Sequence, residues 1–253
     1  MADIVNLCSK YNCESQSDFF KRVTYKEYRD SYMKHPKDFS YLVDMGVNIN
    51  LKHILDDQLD RWAIVTGYPH GDPLIIETIL RTVGIDPDIF QMAVKTILTM
   101  SHNKINTLVM AGPINSCKTL LSNLLTARLT TCYATNHGSL GDFYFAPFLR
   151  KAVINLEELQ VTCATADDYK SILGGVPLDI NRKHVTDRQR LYRTPIIVTT
   201  NYDKFGRGMI SHMDETALQA RCIKFTTHQK YSPLRQVTPN DMAAFLYKYD
   251  NKD

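Results

Sequence analysis

The sequence predicts an α/β protein in which a parallel sheet covered by helices follows a smaller helical region. Two observations support this prediction. After about residue 95, short apolar stretches alternate with segments that have helical periodicity, which is typical of a parallel sheet buried on both faces. Before residue 95, aromatic and aliphatic residues recur every three or four positions, as on the buried side of amphipathic helices.

The region before residue 95 is predicted to contain several short helices. Prolines interrupt it at Pro36, Pro69, Pro73 and Pro87, and proline ends or begins helices. Ser15 or Ser17 can cap a helix in SQSDFFKRVTYKEYRD, and the Asp-Pro pair at Asp86 favours a helix start before DIFQMAVKTILTM. At the other end of the chain, VTPNDMAAFLYKYDNKD predicts a helix that begins at Thr238 or Asn240.

The strands of the predicted sheet are short apolar runs. A helix with leucines along one face, KTLLSNLLTARL, follows the first of them. The predicted strands are INTLVMA at 105–111, KAVINLEEL, TPIIVTTN and ARCIKFTT.

Composition excludes several classes of protein. The net charge of +3 shows no strongly basic tail, so that any contact with nucleic acid must come from a local patch. The six cysteines form no C-x-x-C pair, which favours reduced thiols over a disulfide or zinc framework. No apolar run approaches the roughly 18 residues that a membrane span requires, and the N-terminus is polar, without the core of a signal peptide.

The first candidate site is GPINSCKT at 112–119, directly after a predicted strand. A strand, a turn and a helix that opens at Lys-Thr are the context of a phosphate-binding loop. Lys118 would reach the β- and γ-phosphates of a nucleotide, and Thr119 would offer its hydroxyl to Mg²⁺. The candidate binding residues are Gly112, Asn115, Ser116, Cys117, Lys118 and Thr119. The alternative is a chance Lys-Thr pair after a strand.

Cys117 stands where such loops have a second glycine. Glycine lets the backbone approach a phosphate without a Cβ in the way. Cysteine is tolerated there if the local φ is negative, which a sequence does not reveal. If the loop does bind phosphate, Cys117 lies near a helix N-terminus, a place that lowers the pKa of a thiol and raises its reactivity.

Two carboxylates follow about 40 residues downstream, at the end of VINLEE. In a nucleotide hydrolase, a strand beside the phosphate loop delivers carboxylates to the metal and to the attacking water. Glu157 would then hold Mg²⁺, directly or through water, and Glu158 would polarise the water. The alternative is a pair of solvated glutamates that cap the next helix.

A basic run occupies LGGVPLDINRKHVTDRQRLYR at 173–193. Gly174 and Gly175 are expected to turn the chain into a hairpin. The cations of its centre, Arg182, Lys183 and His184, can contact a nucleic-acid backbone without reading bases. The alternative is a solvated charged loop.

Together these motifs resemble those of the superfamily 3 helicases of small DNA viruses. GPINSCKT, VINLEE, KSILGGVPLDINRKH, RTPIIVTTN and LQARCIKF have the order and spacing of that family. The resemblance covers about residues 80–230 and is nearest to the parvovirus Rep type; LDINRKH and LQAR are also similar to papillomavirus and polyomavirus members. It implies an AAA+-type parallel-sheet P-loop NTPase core preceded by a small helical domain.

The resemblance also implies roles for residues. Lys118 and Thr119 match the phosphate-loop pair, Glu157 and Glu158 the acidic pair, and Asn201 the polar sensor of the γ-phosphate or the attacking water. Arg221 in LQAR matches an arginine finger that reaches the neighbouring subunit's ATP. Lys170 matches a basic residue that is also presented across that interface. Lys183 and His184, beside Arg182, match the tip of a hairpin that grips single-stranded DNA. Cys117 is the departure from the family pattern.

The resemblance therefore predicts an ATP-dependent DNA helicase motor for viral genome replication in the host cell nucleus. It implies a ring, typically a hexamer, that binds ATP and Mg²⁺ between its subunits and acts on single-stranded DNA. The predicted domains are a helical collar at 1–95, the ATPase core at 96–230 and a capping helix at 231–253. No H-x-H pair of a nicking domain occurs, so that the chain is expected to be either a helicase fragment of a longer protein, with such a domain upstream, or a family member without a nicking domain. The alternatives are a non-hydrolysing ATP-binding assembly or DNA-packaging scaffold and, third, a nucleotide kinase.

Overall fold

A computed structural model describes residues 2–135, 144–181 and 189–251. The chain divides into two compact units, residues 1–59 and 60–253. This division differs from the change in sequence pattern, which lies near residue 95. The domains predicted at 1–95, 96–230 and 231–253 stay a prediction.

The first unit is helical. Its helices are α1 (Ala2–Lys10), α2 (Gln16–Arg22), α3 (Tyr25–Lys34) and α4 (Phe39–Asp57). Ser15 caps α2 by accepting a hydrogen bond from the Asp18 backbone, as the sequence predicted. Helices α1 and α2 both pack against α4. The apolar stripes of the helices meet in a core that includes Ile4, Phe19 and Val43.

The second unit begins with α5 (Arg61–Thr66), α6 (Pro73–Val83) and α7 (Pro87–Leu98). It continues with β1 (Thr107–Ala111), α8 (Lys118–Thr126), β2 (Thr131–Thr135), a 3₁₀ turn (Ala146–Phe148), β3 (Val153–Glu157) and α9 (Ala166–Gly174). The remaining elements are β4 (Leu178–Ile180), β5 (Gln189–Leu191), β6 (Ile196–Thr200), α10 (His212–Gln219), β7 (Cys222–Thr226) and α11 (Pro239–Asp250).

Five strands of the described residues form one parallel sheet in the order β2-β3-β6-β1-β7. This confirms the predicted α/β class, and β1, β3, β6 and β7 are the four strands that the apolar runs predicted. Every residue of β1 and of β6 is buried, because helices cover both faces of the sheet centre. Strand β2 at one edge was not predicted from the sequence.

Helices α6, α7 and α11 belong to the same unit as the sheet. Helix α11 packs against α6, and Phe90 of α7 contacts Phe225 of β7 with ring centroids 5.5 Å apart. Thr238 caps α11 and forms a capping box with Asp241, so that the predicted helix start is confirmed. Among the described residues, no helix is long and apolar enough to cross a membrane.

Candidate active site

Three of the sequence-predicted groups meet at the carboxyl edge of the sheet. Strand β1 lies between β6 and β7, and β3 pairs with β6 on the other side. Because the strands are parallel, the loop after β1, the acidic pair at the end of β3 and Asn201 after β6 all lie at the same edge. Ligands of open α/β sheets bind at this edge.

The loop at 112–119 starts with a glycine that the fold requires. Gly112 has a φ of +140°, and a Cβ there would lie 2.2 Å from the Thr227 hydroxyl oxygen. The Gly112 amide donates to the Thr200 carbonyl at 3.1 Å, and the Ser116 and Thr227 hydroxyls are hydrogen-bonded at 2.7 Å. The loop is therefore held to the last residue of β6 and to the residue that follows β7.

Cys117 has the left-handed backbone that favours glycine. Its φ is +61° and its ψ is +10°, directly before α8. The condition of a negative φ is therefore not met, and an L-residue in this conformation costs about 1–2 kcal/mol. The thiol donates a hydrogen bond to the Tyr231 carbonyl at 3.2 Å, and the Tyr231 amide donates to the Asn115 carbonyl at 2.8 Å. The segment around Tyr231 thus closes one side of the loop.

The predicted lowering of the Cys117 pKa is wrong. Burial of the thiol raises its pKa above the usual range, and the nearby positive charge of Lys118 only partly opposes this effect. The thiol is half-buried against Tyr231. Cys117 is consequently held as a neutral hydrogen-bond donor and not as a reactive thiolate.

Lys118 lies inside the loop with a side chain that is buried. Its ammonium donates to the Gly112 carbonyl at 2.9 Å, the Pro113 carbonyl at 2.6 Å and the Asn201 side-chain oxygen at 3.2 Å. Burial lowers the pKa of Lys118, and the negative charge of Glu158 opposes that shift. Lys118 therefore links the loop to Asn201 and places a buried cation within the loop.

The two predicted metal ligands are neighbours. The Thr119 hydroxyl donates to Glu157 Oε1 at 3.2 Å, and both side chains line a cavity of about 480 Å³ with Tyr133, Asn155 and Thr199. A hydroxyl and one carboxylate fit Mg²⁺, which takes oxygen ligands and keeps several waters or phosphate oxygens. Among the described residues, no group of three or more His, Cys, Asp or Glu side chains forms an all-protein metal site.

Glu158 faces Asn201 from a strained backbone position. Its φ is +53°, and its carboxylate accepts a hydrogen bond from the backbone N–H of Asn201 at 3.1 and 3.4 Å. Arg207 also reaches Glu158, at 3.7 Å from Nη2 to Oε2. Arg207 was not predicted from the sequence. Its position between two glycines in the segment after TTN is the only signal that could have suggested it.

Two other predicted residues make their contacts outside this cluster. Arg221 precedes β7 at the amino edge of the sheet, where its side chain packs on Gly174 and donates to the Ala217 carbonyl. Five strand residues, about 17 Å, separate this edge from the loop of the same chain. Lys170 is held by Asp167 and Asp214, each at 2.7 Å, and these carboxylates raise its pKa. The roles predicted for Arg221 and Lys170 across a subunit interface stay predictions.

The base of the predicted hairpin is present. Strands β4 and β5 are antiparallel, with Asp179 opposite Arg190. The sequence suggested that Gly174 and Gly175 form the turn of this hairpin, but they do not. They end α9 instead, with Gly175 in the left-handed conformation that is common after a helix. The predicted DNA-binding residues Arg182, Lys183 and His184 lie outside the described residues. All six cysteines are free thiols in the structure.

Comparison with known proteins adds a family to this geometry. The model of the family described as Parvovirus non-structural protein NS1 matches residues 75–253. The initiator protein NS1 of Human bocavirus 3 is 28% identical over 172 residues, which are 66% of this chain and 22% of that protein. Replication protein E1 of European elk papillomavirus is 35% identical over 139 residues, which are 53% of this chain and 22% of that protein. The chain thus spans about a fifth of the length of these relatives.

Solved structures show the same fold. An X-ray structure of JCV helicase has a TM-score of 0.53 at 14% identity. The aligned region covers 90% of this chain and 76% of the JCV helicase chain. The apo structure of the NrS-1 C-terminal region has a TM-score of 0.51 at 15% identity, over 71% of this chain and 48% of its own. The predicted resemblance to the superfamily 3 helicases of small DNA viruses is confirmed. Because the family match extends over well more than half of the chain, the chain belongs to the parvovirus non-structural protein NS1 family.

Proposed function

We propose that this chain is an ATP-dependent DNA helicase motor that acts in viral genome replication. The observation that carries the proposal is the meeting of a buried lysine, a hydroxyl-carboxylate pair and a second carboxylate at one edge of a parallel sheet. Lys118 lies 3.2 Å from Asn201, and Thr119 lies 3.2 Å from Glu157. The family membership supports a role in replication, because its relatives are named as initiator and replication proteins.

In this proposal the loop binds the phosphates of ATP. The Lys118 ammonium exchanges its contacts with the Gly112 and Pro113 carbonyls for phosphate oxygens, a change that better satisfies a buried cation. Thr119 and Glu157 would hold Mg²⁺, which would neutralise charge on the phosphates. The cavity of about 250 Å³ beside the loop, walled by Leu120, Tyr231 and Ser232, would accommodate part of the nucleoside.

Glu158 then serves as the base for hydrolysis. It accepts a proton from water while the water oxygen forms a bond to the γ-phosphorus. The bond from that phosphorus to the bridging oxygen breaks, and ADP and phosphate are released. Asn201, whose side-chain oxygen contacts Lys118, lies where it can orient the water or the γ-phosphate.

The site is completed by a neighbouring subunit of a ring, for which we propose a hexamer. Arg221 lies at the opposite edge of the sheet from the loop of its own chain, and both Arg221 and Lys170 would act on the neighbour's ATP. The hairpin with Lys183 and His184 would contact single-stranded DNA in the channel and move with hydrolysis. Contacts with DNA phosphates suffice for this task, because they do not depend on the base sequence and a motor must hold any sequence.

One observation favours a second candidate, a non-hydrolysing ATP-binding scaffold. Cys117 occupies a left-handed position where glycine is preferred, so that the loop carries a Cβ where glycine has none. Such a loop could bind nucleotide without productive placement of the γ-phosphate. The two candidates differ in whether ATP is turned over.

Steady-state ATP turnover, measured with and without single-stranded DNA, tests the proposal. We expect DNA-stimulated turnover in the unmodified chain, loss of nucleotide affinity in Lys118→Ala, and retained binding with a roughly 10²–10⁴-fold lower rate in Glu158→Gln. Lys248→Ala is the matched control, because the ammonium of Lys248 contacts Glu77 and the Tyr249 ring in the same unit and no described residue of the proposed site. ATP binding without any turnover would support the scaffold and contradict the motor.

A further inference from the structure

Arg207 makes a set of contacts that the proposed mechanism does not use. It lies in the loop between β6 and α10, and its guanidinium carbon is 3.7 Å from the centre of the Tyr202 ring. Nη2 donates to the Glu158 backbone carbonyl at 3.1 Å and lies 3.7 Å from the Glu158 carboxylate. One planar side chain therefore touches both the backbone and the carboxylate of the proposed base.

The fold holds Arg207 there against two opposing costs. Its backbone has a φ of +49°, which is uncommon for a residue with a Cβ. Its Nε is fully buried and has no hydrogen-bond partner among the described residues. A buried donor without an acceptor costs free energy, and an arginine side chain turned outward would avoid this second cost. Strained and unsatisfied groups cluster at functional sites.

A neighbouring helix fixes the loop that carries Arg207. The two carboxylate oxygens of Glu215 in α10 accept hydrogen bonds from the Phe205 and Gly206 amides, each at 2.9 Å. The residue before Arg207 is thus clamped, and the guanidinium is stacked on Tyr202. This arrangement orients the guanidinium fork toward Glu158, so that Arg207 has little freedom to turn to solvent.

We propose that Arg207 is a positioning residue that acts through Glu158. It fixes the Glu158 carboxylate against the backbone N–H of Asn201, so that the carboxylate points toward the attacking water before ATP arrives. This inference rests on the proposed function and deepens it, because it assigns the orientation of the base to a specific residue. The alternative is an arginine that merely anchors its loop.

A double-mutant cycle separates the two roles. Residues that act as a unit are not additive. We therefore expect Arg207→Ala to lower kcat by about 100-fold when Glu158 is intact, as misplacement of a reacting group does. In the Glu158→Gln background, the same change should lower the residual turnover by no more than about twofold. The Kd for ATP should stay the same in both backgrounds.

Conservative and control variants complete the design. Arg207→Lys should recover part of the turnover, because an ammonium can reach one Glu158 oxygen but cannot reproduce the planar fork. Arg81→Ala, which removes a surface ion pair with Glu77 in the same unit, should leave kcat unchanged.

Equal losses from Arg207→Ala in both backgrounds would overturn the inference, as would a weaker Kd or an altered circular dichroism spectrum with kcat unchanged. Absence of turnover in the unmodified chain would instead contradict the proposed function, and the inference would fall with it.

Discussion

At the scale of single residues, Cys117 brings two opposing effects to the phosphate loop. Its left-handed backbone costs about 1–2 kcal/mol relative to glycine. The hydrogen bond from its thiol to the Tyr231 carbonyl offsets part of this free energy, but a thiol is a weak donor. The backbone effect is the larger of the two, so that glycine should be tolerated at this position.

Cys117→Gly is therefore expected to keep or raise ATP turnover, with a free energy of unfolding changed by no more than about 1 kcal/mol. The relief of the left-handed backbone offsets the lost hydrogen bond and the greater unfolded-state entropy of glycine. Turnover and denaturant unfolding of the variant measure these effects. A large drop in turnover would mean that the contact with Tyr231 shapes the loop.

Thiol labelling provides a second measurement at the same residue. Because burial raises the pKa of Cys117, little thiolate is present at neutral pH, and alkylation should speed up as the pH rises past 9. At neutral pH, Cys117 should label more slowly than Cys163, which is exposed. Faster labelling of Cys117 than of Cys163 would contradict the burial argument. Bound ATP with Mg²⁺ should slow the labelling further.

The sequence predicted those site residues whose positions are set by the apolar runs that form the strands. Lys118, Thr119, Glu157 and Asn201 each follow or end an apolar run, and parallel strands bring such positions together. Arg207 could not be predicted in this way, because its contact with Glu158 depends on how a loop of irregular backbone folds back. The φ of Cys117 is equally invisible in a sequence, since the loop and Tyr231 determine it together.

At the scale of elements, burial explains which strands could be predicted. Strands β1 and β6 are fully buried and read as continuous apolar runs. Strand β2, with the sequence TCYAT, lies at an edge of the sheet, and only Cys132 of its five residues is buried. A half-exposed edge strand lacks the apolar signal, so that the sequence did not reveal it.

Asp241 is predicted to be important for the stability of the second unit. It is 3% exposed and accepts hydrogen bonds from Arg235, from the Asp72 amide at 2.8 Å and from the Thr238 amide at 2.8 Å. Asp241→Asn should lower the free energy of unfolding by about 1.5–3 kcal/mol, as expected for hydrogen bonds to a charged group. Urea unfolding measures the change. Asp179→Asn, at an exposed 3.9 Å pair with Arg190, is the control with little effect.

The same residue gives a pH dependence. Burial by itself raises the pKa of Asp241, but the hydrogen bonds from Arg235, Asp72 and Thr238 together lower it below the usual range. A carboxylate with a lowered folded-state pKa stabilises the protein above its unfolded pKa of about 4, and this stability is lost as the pH falls below that value. Asp241→Asn should therefore show a weaker loss of stability between about pH 4 and pH 2 than the unmodified chain.

At the scale of the whole molecule, the proposed function requires an active site that two chains share. Arg221 lies at the opposite edge of the sheet from its own loop, about 17 Å along β7. Lys170 is occupied by Asp167 and Asp214 within its own chain. For Lys170 to act on a neighbour's ATP, docking of the neighbour must replace these ion pairs. Hydrolysis would then be coupled to assembly of the ring.

Mixing two inactive variants tests this central claim most directly. Arg221→Ala should bind ATP nearly normally but lose roughly 10³-fold or more in turnover, and Lys118→Ala should lose nucleotide binding or its productive placement. In a mixture, some interfaces pair an intact Lys118 loop with an intact Arg221, so that partial ATP turnover should return. If the mixture stays inactive while subunits are shown to exchange, Arg221 acts within its own chain or only structurally, and the shared site is contradicted.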